Sequence, residues 1–332
     1  MYFDIENDFS NDVINAPKEV ISVGFYDSYN KQYWCYVFNK FKLHIDNLTN
    51  IVQFDDEKTM LEAFFAQIKD YDVMTGWYSN GFDIPYLLSR ARKLKIDLKK
   101  YFGNIFFEFE NKEAKIFQDV VTLFDALEFY KRTVYFNKPP SYSLDAVSKH
   151  LFGNDVSKLE KSSDLPELWR SDINRVIKYN LNDIKLLKMI CEHHSILEYP
   201  LQLQQLCPQD FENAFYNSKI IENLIHHRLW KQNIFLPTKI EHDKPEFEGA
   251  VCFMPITGVH YNVAVFDYSG MYTNIYLSWN FSPDTLVGEK EYVENNFEYI
   301  KDNLIQRYPE IKAQFELPED EILKQWILIS ND

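Results

Sequence analysis

Residues 75–90 read TGWYSNGFDIPYLLSR. Asp72 to Trp77 has the β-branched and aromatic content of a strand. Asn80-Gly81 marks a turn. Phe82-Asp83-Ile84-Pro85 then leads into an amphipathic helix over Tyr86 to Leu98, because proline is well tolerated in a first helical turn. The stretch is therefore strand, turn and helix, with one carboxylate at the junction. Two readings stay open for Asp83: a helix N-cap, or a ligand group where open α/β sheets collect their ligands.

Toward the N-terminus, Met1 to Glu6, Val20 to Tyr26 and Gln32 to Phe38 read as strands. Glu57 to Lys69 has helical spacing through Met60, Leu61, Phe64, Phe65 and Ile68. On a first strand, Asp4 and Glu6 project from one face. They are a solvated edge, or the paired oxygen anions that a hard divalent cation takes. Toward the C-terminus, Val120 to Lys131 reads as helical, and Ser143 caps a short helix that Gly153 stops. Ser171 to His194 is a long helix, on which Tyr179 and Asp183 of YNLND share a face. An ordinary amphipathic helix with a partly exposed Tyr explains that pair equally well. Strands followed by helix, strand and helices predict an α/β layer fold with a mixed sheet flanked by helices.

Pro200 and Pro208 break this pattern, which places a domain boundary near residue 197. Beyond it the spacing predicts a helix over Phe211 to Gln232, strands over Ala250 to Met254 and Asn262 to Asp267, and an acidic helical tail.

The composition fits a chain with a sizeable core: 46% hydrophobic and 17% aromatic residues argue against disorder. No apolar run reaches bilayer length and no signal peptide is expected, so no membrane partner is predicted. Four scattered cysteines without a C-x-x-C pair read as reduced thiols of a cytoplasmic protein, not a zinc site. The net charge of −15 argues against a broad basic footprint for nucleic acid. The charge is uneven, however: Lys and Arg outnumber Asp and Glu between Pro85 and Lys161, and the reverse holds from Thr285 onward.

Taken together, D-x-E on a first strand, N-x-F-D after a central strand and Y-x-x-x-D on a late helix resemble the 3′→5′ proofreading exonuclease domain of family B DNA polymerases, among the DEDDy exonucleases. TGWYSNGFDIPY resembles the T-even phage polymerases in particular, and FNKPPSYSLDAV (136–147) the segment between the second and third motifs. Phe247-Glu248-Gly249-Ala250 resembles the element between exonuclease and polymerase domains, with Phe in place of the usual Tyr. NVAVFDYSGMYTNIYLSWNFSPDTL (262–286) resembles the first palm motif, with Gly270, Met271, Thr273 and Asn274 departing from its pattern.

The resemblance implies an RNase H-like exonuclease domain over 1–197, then connecting helices and the first strands of a polymerase palm over 198–332. It implies Asp4, Glu6, Asp83 and Asp183 as ligands of two Mg²⁺ (or Mn²⁺) ions, with Asp4 bridging them and Tyr179 orienting the attacking water. Oxygen-only ligands favour those ions over zinc. The implied substrate is a single-stranded or frayed 3′ end of DNA. Phe82 is either a base-stacking residue or part of the core, and Asn80 either holds the terminal nucleotide or caps its turn. The basic helix from Tyr86 either guides phosphates or is a solvated face. In the second part the resemblance implies Gly249 on DNA, Asp267 as a palm metal ligand and Tyr272 under an incoming nucleotide. The Lys-bearing fingers helix and the second palm Asp motif of the family do not follow Asp267. The chain alone is therefore expected not to synthesise DNA, and a second polymerase chain is an expected partner. A non-catalytic nucleic-acid-binding module is the remaining alternative. The strand starting three residues before Asp4 implies a missing N-terminal segment.

Overall fold

Six strands pair into one mixed sheet in a computed structural model, which describes residues 1–332 except 47, 111–112, 135–136, 155, 157–164, 237, 239–248, 250, 280–294, 308 and 310–332. The strands are β1 (Tyr2–Asn7), β2 (Val20–Asp27), β3 (Gln32–Phe38), β4 (Ile51–Phe54), β5 (Val73–Gly76) and β8 (Thr122–Asp125), in the order β4-β3-β2-β1-β5-β8. A separate hairpin joins β6 (Phe106–Glu110) to β7 (Glu113–Phe117). In the large sheet β2 alone runs against the other five strands.

Helices cover both faces. On one face α1 (Glu57–Ile68) and α2 (Asp83–Lys93) meet Phe3, Ile5, Val23 and Phe25 through Met60, Leu61, Phe64 and Leu87. On the other, α4 (Ala126–Thr133), α5 (Leu144–Phe152) and α7 (Ile173–His193) meet Tyr2, Tyr26 and Phe124 through Phe129, Val147, Leu187 and Ile190. Strand alternation divides β1 between these layers: Phe3 and Ile5 are core, and Asp4 and Glu6 are half-buried. Every residue of β2 is buried, as a central strand covered on both sides requires.

The helix starts follow from capping. Asp56 accepts the Thr59 N–H, Ser143 the Ala146 N–H and Asp172 the Arg175 N–H. Gly153, at φ 89°, ends α5 as the sequence predicts. Short helices α3 (Lys99–Phe102), α6 (Leu165–Ser171) and α8 (Glu198–Leu206) connect the longer ones, and α9 (Asn217–Trp230) follows.

Several expectations change. Val120 to Lys131 is not one helix. Its first part is β8, held in parallel register with β5, and α4 starts only after Asp125 caps it. The helix expected over Phe211 to Gln232 divides into a 3₁₀ turn (Phe211–Phe215) and α9, because Tyr216 is extended at φ −117°, ψ 100°. The basic helix begins at Asp83 and ends at Lys93, where Lys95 turns left-handed at φ 56°.

The chain divides into two compact units, Met1–Glu241 and His242–Asp332. In the first, Phe211 packs edge-on against Phe124 with ring centroids 4.8 Å apart. In the second, α10 (Met271–Ser278) and α11 (Phe297–Arg307) are helical. The expected palm strands at 250–254 and 262–267 do not form among the described residues, and 251–270 are irregular and exposed. A strand exists only with a paired neighbour to take its backbone N–H and C=O groups, and no described strand lies in this unit. Residues 136, 247, 248, 250 and 280–286 of the motifs quoted above lie outside the described residues. Among the described residues no helix is long and apolar enough to cross a membrane.

Candidate metal centre

Asp4, Glu6 and Asp183 each offer a carboxylate oxygen, and these atoms lie within 4.8 Å of one another. Three elements bring them together. Strand β1 projects Asp4 and Glu6 from its even-numbered face. Helix α7 crosses that face and delivers Asp183, which is 2% exposed. The crossing is close because of Gly24, which pairs with Asp4 on β2. A Cβ at residue 24 would stand 2.3 Å from Asn180 Oδ1 and 2.4 Å from Ile184 Cδ1. Only a residue without a side chain lets the helix settle there.

Asp83 reaches the same end of β1 from the opposite side. Strands β1 and β5 pair only at Tyr2 and Thr75, so they part just before the carboxylates. The Ile5 N–H donates to Asp83 Oδ1 at 3.3 Å. Asp83 is therefore not an N-cap: it is the first residue of α2, and its side chain serves β1. Burial, and after it the charge of Asp4, pushes the Asp83 carboxyl well above the usual carboxylate range.

Such a set of crowded, oxygen-only donors fits a hard divalent cation, whose charge offsets both the mutual repulsion and the burial cost of Asp83. Asp4, Glu6 and Asp183 are the residues gathered closely enough to hold it; Asp83, bonded to Ile5 of the same strand, stands outside that group. Tyr179, half-buried, lies one helical turn before Asp183 on α7. The acidic pattern stops at Glu6. A register shift between Glu6 and Asn7 redirects the strand, and Asp8 pairs instead with Arg170 at 3.1 Å.

The other predicted residues have separate fates. Asn80 and Phe82 lie in the turn before Asp83. Phe82 packs on the core and against Tyr86 (5.6 Å between centroids). Gly249, Asp267 and Tyr272 are exposed residues of the second unit.

Two contributors escaped the sequence reading. Asn180, fully buried, donates through Nδ2 to Asp4 Oδ2 at 2.8 Å and to Asp4 O at 3.3 Å. Its signal was an amide on the apolar face shared by Val176, Ile184 and Leu187. Asp125 accepts N–H groups from the turn that holds Asn80. Its signal was the D-A-L-E of residues 125–128, an N-terminal capping pattern inside what reads as continuous helix.

Family models match in the same order as these elements. That for the exonuclease domain of DNA polymerase family B matches residues 1–147, and that for DNA polymerase family B matches residues 214–320. The chain belongs to the family B DNA polymerases. It is 28% identical over 256 residues to the DNA-directed DNA polymerase of Escherichia phage RB69, covering 71% of this chain and 27% of the phage protein. It is 28% identical over 259 residues to DNA polymerase 1 of Pyrococcus abyssi, covering 71% and 32%. It is 26% identical over 284 residues to the DNA polymerase delta catalytic subunit of Caenorhabditis elegans, covering 76% and 25%. The chain thus spans roughly a quarter to a third of the length of these relatives.

Proposed function

We propose that the first part of this chain, with a functional boundary near residue 197, is a metal-dependent 3′→5′ exonuclease that removes nucleoside 5′-monophosphates from a single-stranded or frayed DNA 3′ end. The meeting of Asp4, Glu6 and Asp183, with Asp83 tied to the same strand, carries this reading. Two bound Mg²⁺ or Mn²⁺ ions would activate water and neutralise charge on the scissile phosphate. In this reading Asp4, Glu6, Asp83 and Asp183 hold and space those ions. Asn180 fixes the rotamer of Asp4. Tyr179 hydrogen-bonds the attacking water; a phenol with a reference pKa of about 10 orients it and does not deprotonate it at neutral pH.

The test is digestion of 3′-labelled single-stranded DNA with Mg²⁺ or Mn²⁺. Metal-dependent release of mononucleotides that Asp4→Ala and Asp183→Ala abolish is the expected result. Wild-type activity no greater than that of Asp4→Ala overturns the reading.

A second reading concerns the remainder. The polymerase match over 214–320, which includes Asp267 and Tyr272, supports a palm portion that synthesises DNA only together with a second chain. Primer extension after adding a chain that carries a second palm carboxylate tests it. No extension by any such pair, in the presence of intact nuclease activity, counts against it.

A further inference from the structure

Asp125 closes β8 opposite Gly76, the last residue of β5, and is 3% exposed. Its carboxylate accepts four backbone N–H groups. Oδ1 takes Leu127 at 2.9 Å and Glu128 at 3.1 Å, which caps α4. Oδ1 also takes Tyr78 at 3.3 Å, and Oδ2 takes Asn80 at 3.0 Å. A helix cap explains the first two bonds. The other two reach into the turn between β5 and α2, more than forty residues upstream, and that turn runs directly into Asp83.

The turn is strained and held from several sides. Tyr78 is left-handed at φ 64°, an unfavourable conformation for an aromatic residue that persists only where its surroundings impose it. The Tyr78 carbonyl accepts N–H groups from both Gly81 and Phe82. Its ring lies over Gly81, where a Cβ would stand 2.3 Å from Tyr78 Cζ. With β1 and β5 already parted, the position of Asp83 depends on this turn and on the single bond to Ile5.

We propose that Asp125 is a positioning residue of the nuclease centre: through Tyr78 and Asn80 it locks the turn and so sets where Asp83 meets β1. Parallel neighbours β5 and β8 thus each lead to an aspartate at a helix entrance, one facing the chemistry and one holding the other in place. The inference rests on the exonuclease reading above.

The experiment compares the full chain with its Asp4→Ala, Asp125→Asn and Asp125→Ser variants. Asp125→Asn keeps one oxygen for the α4 cap and turns an amide NH₂ toward the Asn80 N–H. Asp125→Ser keeps a hydroxyl cap and cannot reach the turn. On single-stranded DNA with Mn²⁺, kcat is expected to fall about 10–100-fold while KM changes little. The Mn²⁺-induced rise in thermal midpoint is expected to shrink in both variants, with circular dichroism unchanged. Should Asp125→Asn unfold, Asp125→Ser decides. Wild-type kcat and wild-type metal response in a folded variant, or a loss that only tracks the folded fraction, overturns the proposal. If the wild-type chain is no more active than Asp4→Ala, the exonuclease reading has failed instead, and the metal response alone judges Asp125.

Discussion

Asn180 Nδ2 lies 2.8 Å from Asp4 Oδ2, although 176 residues separate the two in the chain. The contact joins the first motif to the last through a neutral amide. Asn180 also accepts from Cys35 Sγ at 3.8 Å, so its amide is oriented from β3 as well, on the same face of the sheet. Asn180→Ala would leave Asp4 without its fixed donor. A fall of about 10–100-fold in nuclease rate is expected, the usual cost of losing a group that orients a metal ligand. Single-turnover digestion of labelled DNA checks it; a rate equal to wild type refutes the role.

The closeness of α7 to the sheet gives a stability prediction. Gly24→Ala puts a methyl 2.3 Å from Asn180 Oδ1. Overpacking of this kind costs about 1–3 kcal/mol. A lower midpoint in urea, together with weaker nuclease activity, is the expected pair of results. Gly249→Ala, whose Cβ meets nothing within 4 Å, is the matched control for stability and should leave the midpoint unchanged.

Away from the centre, Arg90 Nε and Nη2 grip Glu57 at 2.7 and 2.6 Å, and Glu57 Oε1 also accepts the Val20 N–H. Both side chains are buried. Glu57→Gln leaves the guanidinium buried without its counter-charge and should cost about 3–5 kcal/mol. Replacing both partners, as Glu57→Leu with Arg90→Met, should cost less than the single change. Equilibrium urea unfolding of the three proteins measures the difference, and a double variant weaker than Glu57→Gln contradicts the argument.

Metal itself should stabilise the first unit. The carboxylates repel one another without a cation, and a ligand that binds only the folded chain at about 100 times its Kd adds about 2.7 kcal/mol. Mn²⁺ is expected to raise the thermal midpoint, EDTA to reverse the rise, and Asp183→Asn to blunt it. A midpoint indifferent to metal up to millimolar concentrations speaks against a cation site.

His194 supplies a pH dependence. Burial first, and His193 next, hold its imidazole below the ordinary value of 6.5, beside the Tyr130 ring at 5.0 Å. The unfolded chain therefore takes up this proton more readily than the folded one. The stability from neutral His194 is fully present above pH 6.5 and is lost as pH falls through the folded value. Thermal midpoints measured from pH 7.5 down to 5 should fall less steeply for His194→Gln than for the wild-type chain.

The legible part of the sequence was the part written in local rules. Period-two alternation placed Asp4 and Glu6 on one face, and i, i+4 spacing placed Tyr179 beside Asp183. The cap at Ser143 and the stop at Gly153 announced α5. Strand β8 was hidden, because Thr122–Asp125 is four residues long and runs into the apolar spacing of α4; only its pairing with β5 makes it a strand. The runs at 250–254 and 262–267 erred the other way, with β-like composition and no described strand beside them. Asn180 and Asp125 each left a local signal, but their partners were not legible. Each acts on residues far away in the chain, and nothing in their immediate neighbours says which backbone or carboxylate they will meet.

The single residue pair between β1 and β5 bears on how an inactive form of this protein should be made. Beyond Tyr2 and Thr75, β1 is tied to the start of α2 by the side chain of Asp83 on the Ile5 N–H. Truncating Asp83 thus removes an acid and cuts a cross-brace in one stroke, so silence in such a variant would not say which loss mattered. Asp183 hangs from a twenty-one-residue helix with buried residues from Ile173 to Cys191, and changing it is expected to remove the acid while leaving the scaffold standing.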